Sequence, residues 1–287
     1  MAELNMMSKF KSDPRLYSVP FNDFYQAFDL KICEKEMENL VSRYGIHNKD
    51  ILSIGSGTAH EEYWFCVKGD NRLILFDIDE SGTIEPKLKT LSTSSFSANN
   101  ANYPIQYYIG DFTKFKKGFS NQFDILYLSS FTPDELRRDT IKTAFGKKAK
   151  VDPWKKVIYD ILHREKQEDL NWPYWCAPFH ESVYHSLSFV KPRGLVIIQS
   201  YCGGIDVTYN PNYVNKIKKD FAQYGITLLD LFYLEASPAI TLTVGFAGNE
   251  EEAKAFYHEQ VKSVPLESFH GRSAVDNKAK QLYSLCP

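Results

Sequence analysis

A chain of 287 residues with 43% hydrophobic and 24% charged residues is long enough for one large domain and too apolar for wholesale disorder. A net charge of −2 gives no electrostatic footprint for a nucleic-acid partner, and no run reaches the roughly 20 apolar residues of a membrane span. The five cysteines include no Cys-x-x-Cys pair, so neither a zinc site nor a disulfide framework is indicated, and the opening residues lack the charged flank and apolar core of a secretion signal. A cytoplasmic protein without a metal centre is the expectation.

Residues 1–19 read as a polar, loose arm, and Phe24, Phe28, Ile32, Met37, Leu40, Val41 and Tyr44 keep helical spacing. Residues 1–45 therefore form a helical N-terminal arm. A strand at about 50–54 runs into Gly55-Ser56-Gly57, a helix-compatible stretch follows, and a second strand at about 72–77 ends near Asp77 and Asp79. Residues 85–102 fade from helix into a Ser/Asn-rich loop. A third strand, from Ile105, ends in Gly110-Asp111 before Phe112, and a fourth, Phe123 to Ser130, is nearly continuously apolar and is followed by Phe131.

From 134 to 178 no strand is legible. His180 to Phe189 reads as a helix, Lys191-Pro-Arg-Gly194 as a sharp connection, and Leu195 to Ser200 as the fifth strand. A helix over 211–224 precedes strands at 226–234 and 239–246, spaced as an antiparallel hairpin. A helix over 250–262 and a polar tail over 266–287 close the chain. This alternation predicts an α/β fold with seven strands, mostly parallel, and helices on both faces. Residues 46–265 would be one domain carrying a helical insertion at about 131–180.

The glycine turn and the acid that follows it carry the chemistry. Glycines let a backbone turn sharply and approach a ligand closely. Asp77, 22 positions beyond Gly55, is placed to accept from both hydroxyls of a ribose. Counting the dinucleotide fingerprint G-x-G-x-x-G from Gly55, however, puts His60 at the third glycine. A ligand with a ribose but no pyrophosphate suits this departure, which disfavours an NAD-dependent oxidoreductase.

Over roughly residues 45–247 these features resemble the class I S-adenosylmethionine-dependent methyltransferases. The resemblance implies a Rossmann-like methyltransferase sheet whose last strand is reversed. It implies that S-adenosylmethionine is held by Gly55, Ser56, Gly57 and His60, with Asp77 on the ribose, Asp111 and Phe112 framing the adenine, and Ser129 close by. Ser53 stands where that family often has an acid that orients the amino group of the cofactor; His60 and Glu61 are the candidates to replace it. Asp79 is either a ligand contact or a charge at a helix N-terminus. The aromatic insert, with Trp172, Tyr174 and Trp175 next to Phe131, is the expected substrate cap, and His180 is the candidate general base. His180 and His185 do not share a helical face, so no paired metal site is expected. The basic run from Arg137 to Lys156 reads as a solvated face. The implied activity is methyl transfer to a small-molecule acceptor. The alternatives are a nicotianamine-synthase-like transfer of the aminobutyrate arm and a non-catalytic binding module.

Overall fold

The computed structural model of the chain describes residues 14–20, 23–24, 34–77, 79, 82–93, 105–110, 122–128, 186–200, 213–234, 240–266 and 279–287. The chain divides into two compact units, Met1–Phe131 with Ser186–Pro287, and Thr132–His185; the described residues all belong to the first. Among them no helix is long and apolar enough to cross a membrane.

In chain order the elements are β1 (Arg15–Val19), α1 (Glu34–Tyr44), β2 (Asp50–Ile54), α2 (His60–Gly69), β3 (Arg72–Asp77), α3 (Ile84–Thr93), β4 (Ile105–Ile109) and β5 (Phe123–Leu128). There follow β6 (Val190–Ser200), α4 (Tyr213–Ala222), β7 (Ile226–Leu234), β8 (Ile240–Ala247), α5 (Glu250–Gln260) and β9 (Lys280–Ser284). The strands form one sheet in the order β1-β4-β3-β2-β5-β6-β8-β7-β9. The sheet thus has nine strands where the sequence indicates seven. It is parallel only in its central block: β4/β3, β3/β2, β2/β5 and β5/β6 are parallel, while β1/β4, β6/β8, β8/β7 and β7/β9 are antiparallel. The seven inner strands keep the doubly wound order, with reversed β8 inserted between β6 and β7.

The two additional strands lie in segments read as a loose arm and a polar tail. Both are edges, half solvated and without an apolar run, so their sequences carry no strand signature. β1 is fastened by side chains of α3: the Tyr17 hydroxyl donates to Glu85 Oε1 at 2.5 Å, and Arg15 pairs with the same carboxylate at 2.7 Å. Burial and the Glu85 carboxylate push the Tyr17 phenol up to about 12. The central strands differ in kind. Ile51 to Ile54 of β2, and Ile125 to Leu128 of β5, are buried residue after residue, as a sheet covered on both faces requires.

The Lys191–Gly194 connection is a bulge within β6, not a loop before it. Phe123 pairs with Val190 and Ile125 with Leu195, so five steps on β6 oppose two on β5. Arg193 takes a left-handed φ of 67°, and a Cβ on Gly194 would sit 2.7 Å from the Asp124 carbonyl oxygen. The Lys191 ammonium holds the Asp124 carboxylate at 3.0 Å across the bulge.

Away from the strand ends, α1, β7, α5 and β9 meet at a buried polar junction. Asp230 on β7, with 0% exposure, accepts from Arg43 Nη2 (3.2 Å), Tyr44 OH (2.7 Å), Tyr257 OH (3.0 Å) and Gln281 Nε2 (2.7 Å). Arg43 also donates through Nη1 to the carbonyls of Lys262 and Val264.

Candidate functional site

The strand order reverses between β2 and β5: from β2 the chain proceeds outward through β3 to β4, and from β5 outward through β6. Ligands in open α/β sheets bind beyond the carboxyl ends of the strands at such a switch point. The glycine turn Gly55-Ser56-Gly57 leaves β2 there.

Both glycines use the left-handed region, Gly55 at φ 77° and Gly57 at φ 53°. A Cβ built on Gly57 would meet nothing within 4 Å, so that face of the turn is open space. The backbone donors of the turn are spent internally. Gly55 N and Ser56 N both donate to the Phe76 carbonyl (2.9 and 3.1 Å), and Gly57 N donates to Asp77 Oδ2 (2.7 Å). The Tyr107 hydroxyl donates to the Gly57 carbonyl. This turn is therefore fixed from beneath by β3 and β4 and offers no nest of free N–H groups to a phosphate.

Asp77, at the end of β3, is half-buried and accepts Gly57 N on one oxygen and Asp79 N on the other, the latter at 2.6 Å. Asp79 serves the N-terminus of α3. Its carboxylate accepts from Thr83 N, Ile84 N and Glu85 N at 2.8–3.2 Å, which makes it the N-terminal anion of α3. Replacing Asp79 with Ala is expected to lower stability by about 1–2 kcal/mol, the ordinary loss of such a cap, readable as a fall in denaturation midpoint.

α2 opens without a side-chain cap, from Ala59 at a left-handed φ of 57°. His60 begins the helix; the placement of its side chain lies outside what the structure describes. Glu61 and Glu62 occupy the first turn, 7% and 0% exposed. Glu62 reaches Ser53: Ser53 Oγ donates to Glu62 Oε1 at 2.5 Å, and Ser56 Oγ lies 3.0 Å from Ser53 Oγ. A carboxyl group is thus returned to the place where β2 carries a serine. Burial, together with the neighbouring carboxylates of Glu61 and Asp77, pushes the Glu62 acid well above its ordinary value. Among the described residues its Oε2 has no hydrogen-bond partner.

A second polar pair lies one strand away. The Tyr127 hydroxyl on β5 donates to Gln199 Oε1 on β6 at 2.9 Å, and the Tyr127 ring meets Phe65 of α2 edge-on at 5.1 Å. Gln199 is 0% exposed, and among the described residues its Nε2 has no hydrogen-bond partner. Sequence reading passed over Glu62, Tyr127 and Gln199. The phase of a helix shifts by 100° per residue, so which acid of the first turn faces Ser53 depends on a helix start that the sequence does not define. Tyr127 and Gln199 sit in apolar runs whose pattern describes only burial.

Of the residues singled out in the sequence, Gly55, Ser56, Gly57 and Asp77 are brought together at the switch point. Asp111, Phe112, Ser129, Phe131, Trp172, Tyr174, Trp175 and His180 lie outside the described residues.

No protein-family model and no curated protein sequence matches the chain. Solved structures are similar to it at low identity. A putative SAM-dependent methyltransferase from Streptococcus mutans aligns at 15% identity over 74% of this chain with a TM-score of 0.43; the chain spans 48% of that protein. The O-methyltransferase TomG from Streptomyces achromogenes, in complex with SAM, aligns at 12% over 80% of this chain and 88% of its own, TM-score 0.42. A putative RNA methyltransferase from Pyrococcus horikoshii aligns at 12% over 80% and 98%, TM-score 0.40.

Proposed function

We propose that the chain binds S-adenosylmethionine at the carboxyl ends of β2 and β3 and transfers its methyl group to a small-molecule acceptor. The observation that carries this reading is Asp77, which ties the glycine turn to the end of β3 beside the open face of Gly57. A carboxylate offers about four acceptor sites, and in this reading Asp77 accepts from the hydroxyls of a ribose as well as from the turn. The first turn of α2 carries two acids, Glu61 and Glu62, and the N–H groups of Gly55, Ser56 and Gly57 are all donated within the protein. That electrostatic setting repels a pyrophosphate and suits a ligand that carries a sulfonium and an ammonium in its place, which favours S-adenosylmethionine over a dinucleotide.

When bound, S-adenosylmethionine supplies a sulfonium methyl already activated toward an in-line nucleophile. The chain's part is then positioning and exclusion of water. The glycine turn admits the ligand backbone-close, Asp77 fixes the ribose, and Tyr107 holds the turn by its Gly57 carbonyl. A small-molecule acceptor is favoured over RNA by the net charge of −2.

Calorimetric titration with S-adenosylhomocysteine should give one site per chain. Methyl-labelled S-adenosylmethionine incubated with the protein and a small-metabolite extract should yield S-adenosylhomocysteine and a labelled product. Release of methylthioadenosine instead would assign aminobutyrate transfer, and absence of binding would overturn the reading altogether.

A further inference from the structure

The two buried side-chain atoms without a hydrogen-bond partner among the described residues, Glu62 Oε2 and Gln199 Nε2, lie on one face of the sheet and flank the switch point. Ser53, which holds Glu62, pairs in register with Tyr127, and Tyr127 pairs with Ile197, two residues before Gln199. Residues two apart on a strand share a face, so Ser53, Tyr127 and Gln199 point the same way, toward α2, where Glu62 and Phe65 meet them. Each stands one residue before the end of its strand.

An orphaned buried polar atom is costly to leave unpaired, and two of opposite character on one rim call for a ligand that satisfies both. Glu62 presents a carboxyl oxygen in the most acidic part of the site. Gln199 presents an amide donor, since Tyr127 occupies its carbonyl oxygen. Resting on the cofactor reading above, we propose that Glu62 and Gln199 clamp the amino-acid end of the ligand across the switch point, Glu62 taking its ammonium group and Gln199 its carboxylate.

The clamp makes binding proton-linked. The titratable groups around Glu62 are Glu61 on its own helix, Asp77 at the end of β3 and the Cys66 thiol one turn further along α2; the phenols of Tyr107 and Tyr127 stand on the same sheet face. The carboxylates of Glu61 and Asp77 oppose ionisation of Glu62. An arriving ammonium favours it, and the proton of Glu62 leaves to the buffer. Affinity should therefore rise with pH until Glu62 is ionised in the free protein.

The test compares S-adenosylhomocysteine with 5′-methylthioadenosine, which lacks the amino-acid end, by calorimetry on the full chain. Wild type should bind the first about 100-fold more tightly. Glu62→Gln and Gln199→Leu should each weaken it about tenfold or more, with methylthioadenosine affinity changed less than about twofold. In buffers of different ionisation enthalpy, wild type should release protons on binding S-adenosylhomocysteine, and Glu62→Gln should release fewer. Because the folded Glu62 acid is raised, its stabilising effect is present below the unfolded carboxyl value of about 4 and is lost as pH rises toward the folded value. Glu62→Gln should accordingly be no less stable than wild type at neutral pH, which separates lost binding from lost fold. Equal losses for both ligands, or no loss for either, would overturn the clamp while leaving the cofactor reading intact. Failure of wild type to bind both ligands would remove the clamp and the cofactor reading together.

Discussion

Asp77→Ala is expected to weaken S-adenosylhomocysteine binding by at least about 100-fold. Two kinds of interaction go at once. A pair of charge-assisted hydrogen bonds to a ribose is worth about 3–6 kcal/mol, and 1.4 kcal/mol is tenfold in affinity. The same substitution releases Gly57 N and Asp79 N, the two backbone donors that hold the turn and the start of the next segment to the end of β3. A loosened turn must then be ordered by the ligand, which lowers affinity further. Asp77→Asn keeps one acceptor and the side-chain shape, so its loss should fall between wild type and Ala. Isothermal calorimetry on the three proteins gives the ranking. An Asp77→Ala dissociation constant within threefold of wild type would place the ribose elsewhere.

Asp230→Ala should produce the largest loss of stability of any single change at the α1–β7 junction, about 3–5 kcal/mol, because it strands a buried cation. The Arg43 side chain is 9% exposed and its only ionic partner among the described residues is Asp230 at 3.2 Å. Tyr44 and Gln281 lose their acceptor in the same stroke. Burial and the Asp230 charge push the Tyr44 phenol well up, so it stays a donor throughout the working pH range and has nowhere else to donate within this pair. At roughly 2–4 °C per kcal/mol for a chain of this size, the melting temperature should drop by about 10 °C. Combining Arg43→Met with Asp230→Leu should restore much of it, since a fully apolar replacement leaves no orphaned charge. A drop below about 2 °C for Asp230→Ala would mean that water reaches the junction.

The parallel core was legible because apolar runs bounded by glycine and acid have one physical meaning, a doubly covered strand ending at a turn. β2, β3, β4, β5, β7 and β8 lie within a residue or two of their expected positions for that reason. β1 and β9 were invisible because edge strands take their pairing from a neighbour's backbone, and Arg15-Leu-Tyr-Ser-Val carries no periodicity that would announce it. Lys191-Pro-Arg-Gly194 misled in a different way: proline and glycine normally end an element, yet here they are accommodated by a bulge within β6. In the site, the glycine turn and Asp77 could be read from spacing alone. Glu62 could not, since its meaning depends on which way the first turn of α2 faces. Nor could Gln199, which is joined to the site only through a register that brings β6 beside β5.

Partners in the Asp230 junction are far apart along the chain: Arg43 and Asp230 are separated by 187 residues, and Gln281 comes 51 later. On a ribosome adding about 5–20 residues per second, α1 would wait roughly 10–40 s for the carboxylate that neutralises its arginine. The β2-α2-β3 segment, with the glycine turn and Asp77, spans only residues 50–77 and has every one of its own contacts within reach long before that. The half of the sheet that carries the glycine turn can therefore mature during synthesis. The far half is sealed only when β9 arrives, and a nascent chain stalled between the two would present a finished glycine turn on an open, unsealed sheet.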